Sequence, residues 1–179
     1  IIDNNYYLDG GFYNNVPLSL VENYGCDTIY SIRIKGIGIS HNKLKKETKV
    51  IEIKPSENLG SIILFDKESN IHNMKLGYYD TLKVLDNLDG NKYYFKNKSN
   101  KYYEKLIRKV NEDLIIKLKF KYRTLDTKIL VIKILEDILK KEDLERFKIY
   151  NPTHLIFKLK HTKIKDKSLK TFIKDCKLF

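Results

Sequence analysis

The rhythm of apolar and polar positions changes part-way along this chain. Near its start, Tyr6-Tyr7-Leu8 reads as a short strand closed by Asp9-Gly10-Gly11. Two successive glycines allow a sharp reversal that side chains forbid. Asn14-Asn15-Val16-Pro17 reads as a helix entrance, with Asn near the cap and Pro in the first turn. Leu18, Leu20, Val21 and Tyr24 give that helix a face to bury, and Gly25 stands where it stops. Thr28 to Ile34 is β-branched and apolar, and predicts a second strand; Lys49 to Lys54 alternates and predicts a third, closed by Pro55. A polar loop, residues 36 to 48, separates the two. Asn58 to Phe65 reads as a short helix, although its apolar run fixes no period. Ile71 to Leu88 is a longer helix, with Ile71, Met74, Tyr78, Leu82 and Leu85 at three- and four-residue steps. Strand, turn, helix and strand in that order predict an α/β fold with an open sheet.

Beyond Tyr93-Tyr94-Phe95 the period becomes helical. Tyr103, Leu106, Val110 and Leu114 fit one helix, Ile129 to Leu139 another. Asn151-Pro152 caps a third start, and Leu169, Phe172, Ile173 and Cys176 line a fourth. One segment reads two ways. Ile116, Leu118, Phe120 and Tyr122 alternate with lysines, which suits a strand or a helix end with lysines on every side.

Composition sharpens the division. Residues 1–90 carry 10 Lys/Arg against 12 Asp/Glu, and residues 91–179 carry 25 against 11, so the net charge of +12 comes from the second half. All eight glycines lie in the first half, Gly90 being the last. A domain boundary is therefore expected near residue 90, between an α/β part (1–90) and a basic, mainly α-helical extension (91–179). The 179 residues are enough to bury a core, and a 42% apolar content argues against wholesale disorder. The longest uncharged apolar runs, Ile62 to Phe65 and Ile129 to Ile132, are far short of a membrane span. No leader peptide is visible at Ile1-Ile2-Asp3, and the absence of an initiator Met leads to the expectation that a segment precedes this chain. Cys26 and Cys176 lack metal or redox spacing and read as free thiols, which suits a reducing, cytoplasmic setting.

The chemistry concentrates in Tyr7 to Pro17. A carboxylate at the end of a strand, followed by Gly-Gly, sits at the sheet edge where α/β folds place their sites, with room beside it for a reacting group. Taken alone, Asp9 also reads as a turn residue satisfying backbone donors. The string Asp9-Gly10-Gly11, followed by Asn14-Asn15-Val16-Pro17 and then by Leu20-Val21-Glu22-Asn23-Tyr24-Gly25-Cys26-Asp27, resembles the patatin-like phospholipases. Ile53-Lys54-Pro55, Leu59-Gly60 and Leu76-Gly77-Tyr78-Tyr79-Asp80 extend the resemblance over roughly residues 5 to 90. It implies a Ser–Asp dyad that hydrolyses lipid acyl esters, with Asp9 as the catalytic base and Gly10 and Gly11 shaping the space beside it. The serine on its Gly-x-Ser-x-Gly elbow and the glycine-rich oxyanion loop occur nowhere in this chain. By the resemblance both belong upstream of Ile1, so residues 1–90 are expected to be the C-terminal part of an open patatin-like sheet, and this chain alone is expected not to catalyse. The implied partners are a phospholipid or other acyl-ester substrate and that upstream segment. No cofactor is implied.

Other candidates carry less. His41, His72, His154 and His161 lack metal spacing, so no metal site is expected, and Glu22, Glu52 and Glu57 form no catalytic pair. The basic half reads as a solvated face or as a surface for anionic lipid, peripheral to a membrane. Nucleic acid is the least supported partner, because charge alone speaks for it. The competing functional class is a non-catalytic basic interaction module.

Overall fold

The computed structural model describes residues 3–34, 38–61 and 66–178. The chain divides into two compact units, residues Ile1–Val84 and Leu85–Phe179.

The first unit is α/β. Its elements are α1 (Gly11–Asn14), α2 (Leu18–Asn23), β1 (Thr28–Ile32), β2 (Lys49–Ile53) and α3 (Lys67–Leu85), the last reaching the division itself. β1 and β2 pair in parallel, from Thr28 opposite Lys49 to Ile32 opposite Ile53. β1 and β2 are far enough apart along the chain for the long crossover that a parallel pair requires. Ile29 and Ile53 are buried on this sheet, whereas Ile32 is 72% exposed. On α3 the buried residues are Leu76 and Asp80, and the Asp80 carboxylate accepts the Ser56 N–H at 2.7 Å, tying the helix to the chain leaving β2.

Several readings of this half are corrected. Tyr6-Tyr7-Leu8 has no regular secondary structure, and its three side chains are exposed. A strand exists by pairing, and no described strand lies beside them. In α2 the buried residue is Glu22, while Leu20, Val21 and Tyr24 face solvent. The Glu22 carboxylate accepts the hydroxyl of Thr48 and the N–H of Lys45 at 2.9 Å, so a polar anchor holds this short helix. Those bonds, Thr48 first, hold its pKa below the usual carboxylate range. The stripe Ile71, Met74, Tyr78 and Leu85 of α3 is exposed, its opposite face being the buried one. The helix expected over Asn58 to Phe65 is absent from its described residues, 58–61; positions 62–65 lie outside those described.

The second unit is helical and builds the main core. Its helices are α4 (Asn100–Ile107), α5 (Glu112–Tyr122), α6 (Thr127–Lys141), α7 (Pro152–Lys160) and α8 (Lys167–Asp175), with a small parallel pair of β3 (Tyr94–Phe95) and β4 (Ile149–Tyr150). Each helix start is marked by a side chain: Ser99, Asn111, Asp126, Asn151 and Asp166 accept backbone N–H groups of the first turn. Asn111 breaks the pattern read as one helix from Tyr103 to Leu114 into α4 and α5.

The ambiguous lysine-rich segment is helix α5. Leu114, Ile115, Leu118 and Tyr122 turn inward at helical spacing, and the alternation arises because Ile116 and Phe120 stand on the outside. Seven residues of α6 are buried, among them Leu130, Ile134, Leu135 and Ile138. The Arg146 guanidinium lies 5.5, 4.8 and 5.4 Å from the ring centres of Tyr93, Tyr94 and Phe147, and such contacts let a partly buried cation replace water with aromatic faces. Gly90 has φ +106°, and a Cβ there would lie 2.1 Å from the Tyr93 carbonyl oxygen. Only glycine fits. It lets the N–H groups of Asn91, Lys92 and Tyr93 converge on Glu136 Oε1 at 2.6, 2.8 and 3.0 Å.

Asp166 accepts the Leu169 N–H and stands 3.3 Å from both Lys121 and Lys141. Partial burial pushes its pKa up, but the N–H and the two ammonium groups outweigh it and hold the carboxyl at about 2. A folded value below the unfolded one, about 3.9, gives stability that is complete above that pH and lost as pH falls towards the folded value. Thermal melts from neutral to acidic pH should show Asp166→Asn less stable than the parent at neutral pH. The gap should close below about pH 4 and narrow in high salt, since both lysines are well exposed. Cys176 is 1% exposed, and burial pushes its thiol up to about 12. A thiol reagent at neutral pH should label the half-buried Cys26 in the native chain and reach Cys176 only on unfolding.

Candidate functional site

Asp9 lies at the head of α1, after the irregular Tyr6–Leu8 stretch. Its Oδ1 accepts the Gly11 N–H at 2.7 Å, and its carbonyl accepts the Phe12 N–H at 3.0 Å. The bond to Gly11 holds the carboxylate through Oδ1, and among the described residues no hydrogen bond is made to Oδ2. The Asp9 side chain is exposed, and among the described residues no hydroxyl, imidazole or cation lies within hydrogen-bonding distance of it. Gly10 is in the right-handed helical region, with φ −57° and ψ −23°, so the reversal does not depend on a glycine conformation there. Its contribution is space: a Cβ on Gly10 would meet nothing within 4 Å. The site is an open carboxylate held from one side.

What holds the turn is a loop that pattern reading passes over. Residues 38–42 lie across α1, with the Ile39 N–H donating to the Gly11 carbonyl at 3.0 Å and the Asn15 N–H donating to the Ile39 carbonyl at 2.6 Å. Asn14 Nδ2 donates to the His41 carbonyl at 2.9 Å, and Asn14 Oδ1 accepts the Val16 N–H at 3.2 Å. Asn42 completes the frame. Its Nδ2 donates to the Val16 carbonyl at 2.7 Å, and its Oδ1 accepts the Ser19 N–H at 3.2 Å, satisfying an otherwise unpaired donor in the first turn of α2. The cap of α2 therefore comes from Asn42, not from the asparagines beside Pro17. Gly38 makes the approach feasible, because a Cβ there would fall 2.7 Å from Asn15 Cβ and 2.9 Å from the Gly11 carbonyl oxygen. No local pattern in the sequence marks this contact, which joins Gly38 to Asn15 and Gly11 across more than twenty residues.

A second feature of the same unit is an apolar groove of about 700 Å³ at the C-terminal ends of β1 and β2. Ile32, Ile34, Ile53, Pro55, Leu59 and Met74 line it, and Arg33 at its edge pairs with Glu52 at 2.9 Å. Open parallel sheets hold ligands at this edge. Asp9 does not line the groove.

The four histidines are exposed and do not converge; His72 pairs with Glu57 at 2.9 Å. Among the described residues no cluster of His, Cys, Asp and Glu is suited to a metal ion, and no helix is long and apolar enough to cross a membrane. No family model matches this chain, and no relative is found among curated proteins or solved structures.

Gly38→Ala tests the frame around Asp9. The added methyl should push the loop from α1 and speed hydrogen exchange at the Ile39 and Asn15 amides, while exchange in the second unit stays as in the parent. Unchanged exchange at both amides would show that the loop does not hold the turn.

Proposed function

We propose that this chain supplies the aspartate of a patatin-like acyl-ester hydrolase, with Asp9 as the base for a serine carried outside these residues. The ordered resemblance from Asp9 to Asp80 motivates the reading, and the state of Asp9 supports it most directly. The carboxylate is anchored through one oxygen, open at the other, and next to a glycine with free space around it. The neighbouring surface also suits a site closed by further chain. Tyr6, Leu8, Phe12 and Tyr13 are between 75% and 86% exposed, more apolar surface than a finished domain normally leaves to water.

In this mechanism Asp9 Oδ2 takes the proton of the serine hydroxyl as the serine oxygen attacks the ester carbonyl carbon. The tetrahedral oxyanion collapses, the alcohol leaves with the proton from Asp9, and an acyl-enzyme forms. Water then attacks the acyl-enzyme while Asp9 again accepts and returns a proton, releasing the fatty acid. The Gly11 N–H keeps Oδ1 occupied, so that Oδ2 is the oxygen used. The substrate class under this reading is a phospholipid or a related acyl ester, and the protein works peripheral to a membrane.

In the intact protein Asp9→Asn should lower ester hydrolysis by roughly 10³ or more, because the amide cannot accept the proton. The melting temperature should hardly change, since the amide oxygen still accepts the Gly11 N–H. Initial rates on a soluble acyl ester, with melting curves alongside, make the measurement. Activity within tenfold of the parent would leave Asp9 as a turn residue only.

A further inference from the structure

The outward residues of α5 were what made that segment look like a strand. Ile116 and Phe120 sit one helical turn apart, 53% and 80% exposed, and Leu125 in the following turn is 87% exposed. With Lys119, Arg123 and Thr124 they line a groove of about 430 Å³ at the α5–α6 turn. No acidic residue lines it. Among the described residues, neither Lys119 nor Arg123 has an ion-pair partner, whereas Lys121 and Lys128 are engaged with Asp166, Asp137 and Asp89. The acidic groups next along the chain are turned to other uses. Asp126 Oδ1 accepts the Ile129 N–H at the start of α6, and Glu112 and Asp113 occupy the first turn of α5, away from Phe120 and Leu125.

Arg123 is unusual in its backbone too. It ends α5 in the left-handed region, φ 49° and ψ 57°, a position that glycine or asparagine normally takes. A long cationic side chain at that point gives up backbone comfort for a charge beside the groove.

We infer that this groove is a docking site for an anionic lipid bilayer, with Phe120 and Leu125 entering the interface and Lys119 and Arg123 meeting the headgroup phosphates. A bilayer fits better than an acidic peptide for two reasons. Phe120 and Leu125, the most exposed apolar side chains of the groove, are 80% and 87% exposed and so do not wall a closed slot, and an interfacial layer accepts such exposed side chains. The positive charge also extends well beyond the groove, residues 85–179 carrying 25 Lys/Arg against 13 Asp/Glu, and a planar anionic surface senses that summed field. The inference is independent of Asp9 and of any turnover.

The test is sedimentation of the full chain with vesicles of phosphatidylcholine alone or mixed with phosphatidylserine, at physiological salt. The parent should bind the mixed vesicles at least about tenfold more tightly than the neutral ones. Phe120→Ser with Leu125→Ser keeps the charge and should weaken binding to the mixed vesicles by about tenfold or more. Lys119→Ala with Arg123→Ala should weaken it roughly 30-fold. Lys158→Ala with Lys163→Ala removes equal charge from residues that do not line the groove, and should cost clearly less. Circular dichroism melts confirm that each variant is folded. Equal binding to neutral vesicles, no loss in the serine pair, or equal losses in the two alanine pairs would each overturn the assignment. Binding to an acidic peptide with no binding to either vesicle would overturn it in favour of a protein partner.

Discussion

The second unit depends on one constraint, the burial of α6 on nearly all sides. In this 15-residue helix Leu130, Val131, Ile132, Ile134, Leu135, Ile138 and Leu139 are buried, and of its apolar residues Ile129, in the first turn, stays exposed. Helices α4 and α5 pack directly on it. Its few polar residues then become fastening points. Glu136 gathers three backbone N–H groups at the Gly90 turn, and Asp137 accepts the Tyr122 hydroxyl at 2.6 Å while pairing with Lys141 at 3.0 Å. Burial and the Asp137 carboxylate together raise the Tyr122 pKa, so that hydroxyl stays a donor across the working pH range.

Among its described residues the first unit has no such centre. Among those residues the buried polar ones, Glu22, Ser31 and Asp80, equal in number the buried apolar ones, Ile29, Ile53 and Leu76. Two parallel strands and three helices are held largely by side-chain bonds to backbone, from Asn14, Asn42, Glu22 and Asp80. Apolar residues of β1, β2 and α3, Ile32, Val50, Met74 and Tyr78 among them, stay in contact with water. Such a unit gains stability from whatever covers those faces, since apolar area removed from water is the main favourable contribution to association and folding alike.

Legibility followed the same contrast. Where a helix had a core to face, spacing and caps located it: α6, α7 and α8 lie where Ile129 to Leu139, Asn151-Pro152 and Leu169 to Cys176 placed them, and all four residues read for α8 are buried. In the first unit β1, β2 and α3 were legible as elements, but their inward faces were not. Periodicity states that a face is apolar, not that a neighbour exists to cover it, which is why Ile71, Met74 and Tyr78 mark a helix but not its buried side. Tyr6-Tyr7-Leu8 failed for the same reason. At the candidate site Asp9, Gly10 and Gly11 were legible as a motif, while Asn42 and Gly38 were not, because contacts across more than twenty residues leave no local pattern. The segment that resisted assignment, Ile116 to Tyr122, is where apolar residues face outward, and such departures from pattern tend to mark sites that serve something other than folding.

The pairing of β3 with β4 has a consequence in time. Tyr94-Phe95 and Ile149-Tyr150 are brought together across three helices, α4 to α6, and each strand is only two residues long. So short a ladder cannot repay the entropy of closing that loop, a cost that grows with the logarithm of its length. The helices between are local and form quickly, whereas the ladder must wait until they have docked and delivered its two ends. The strands therefore act as a latch that closes last on an assembled helical core, and they would be among the first contacts to open when that core loosens.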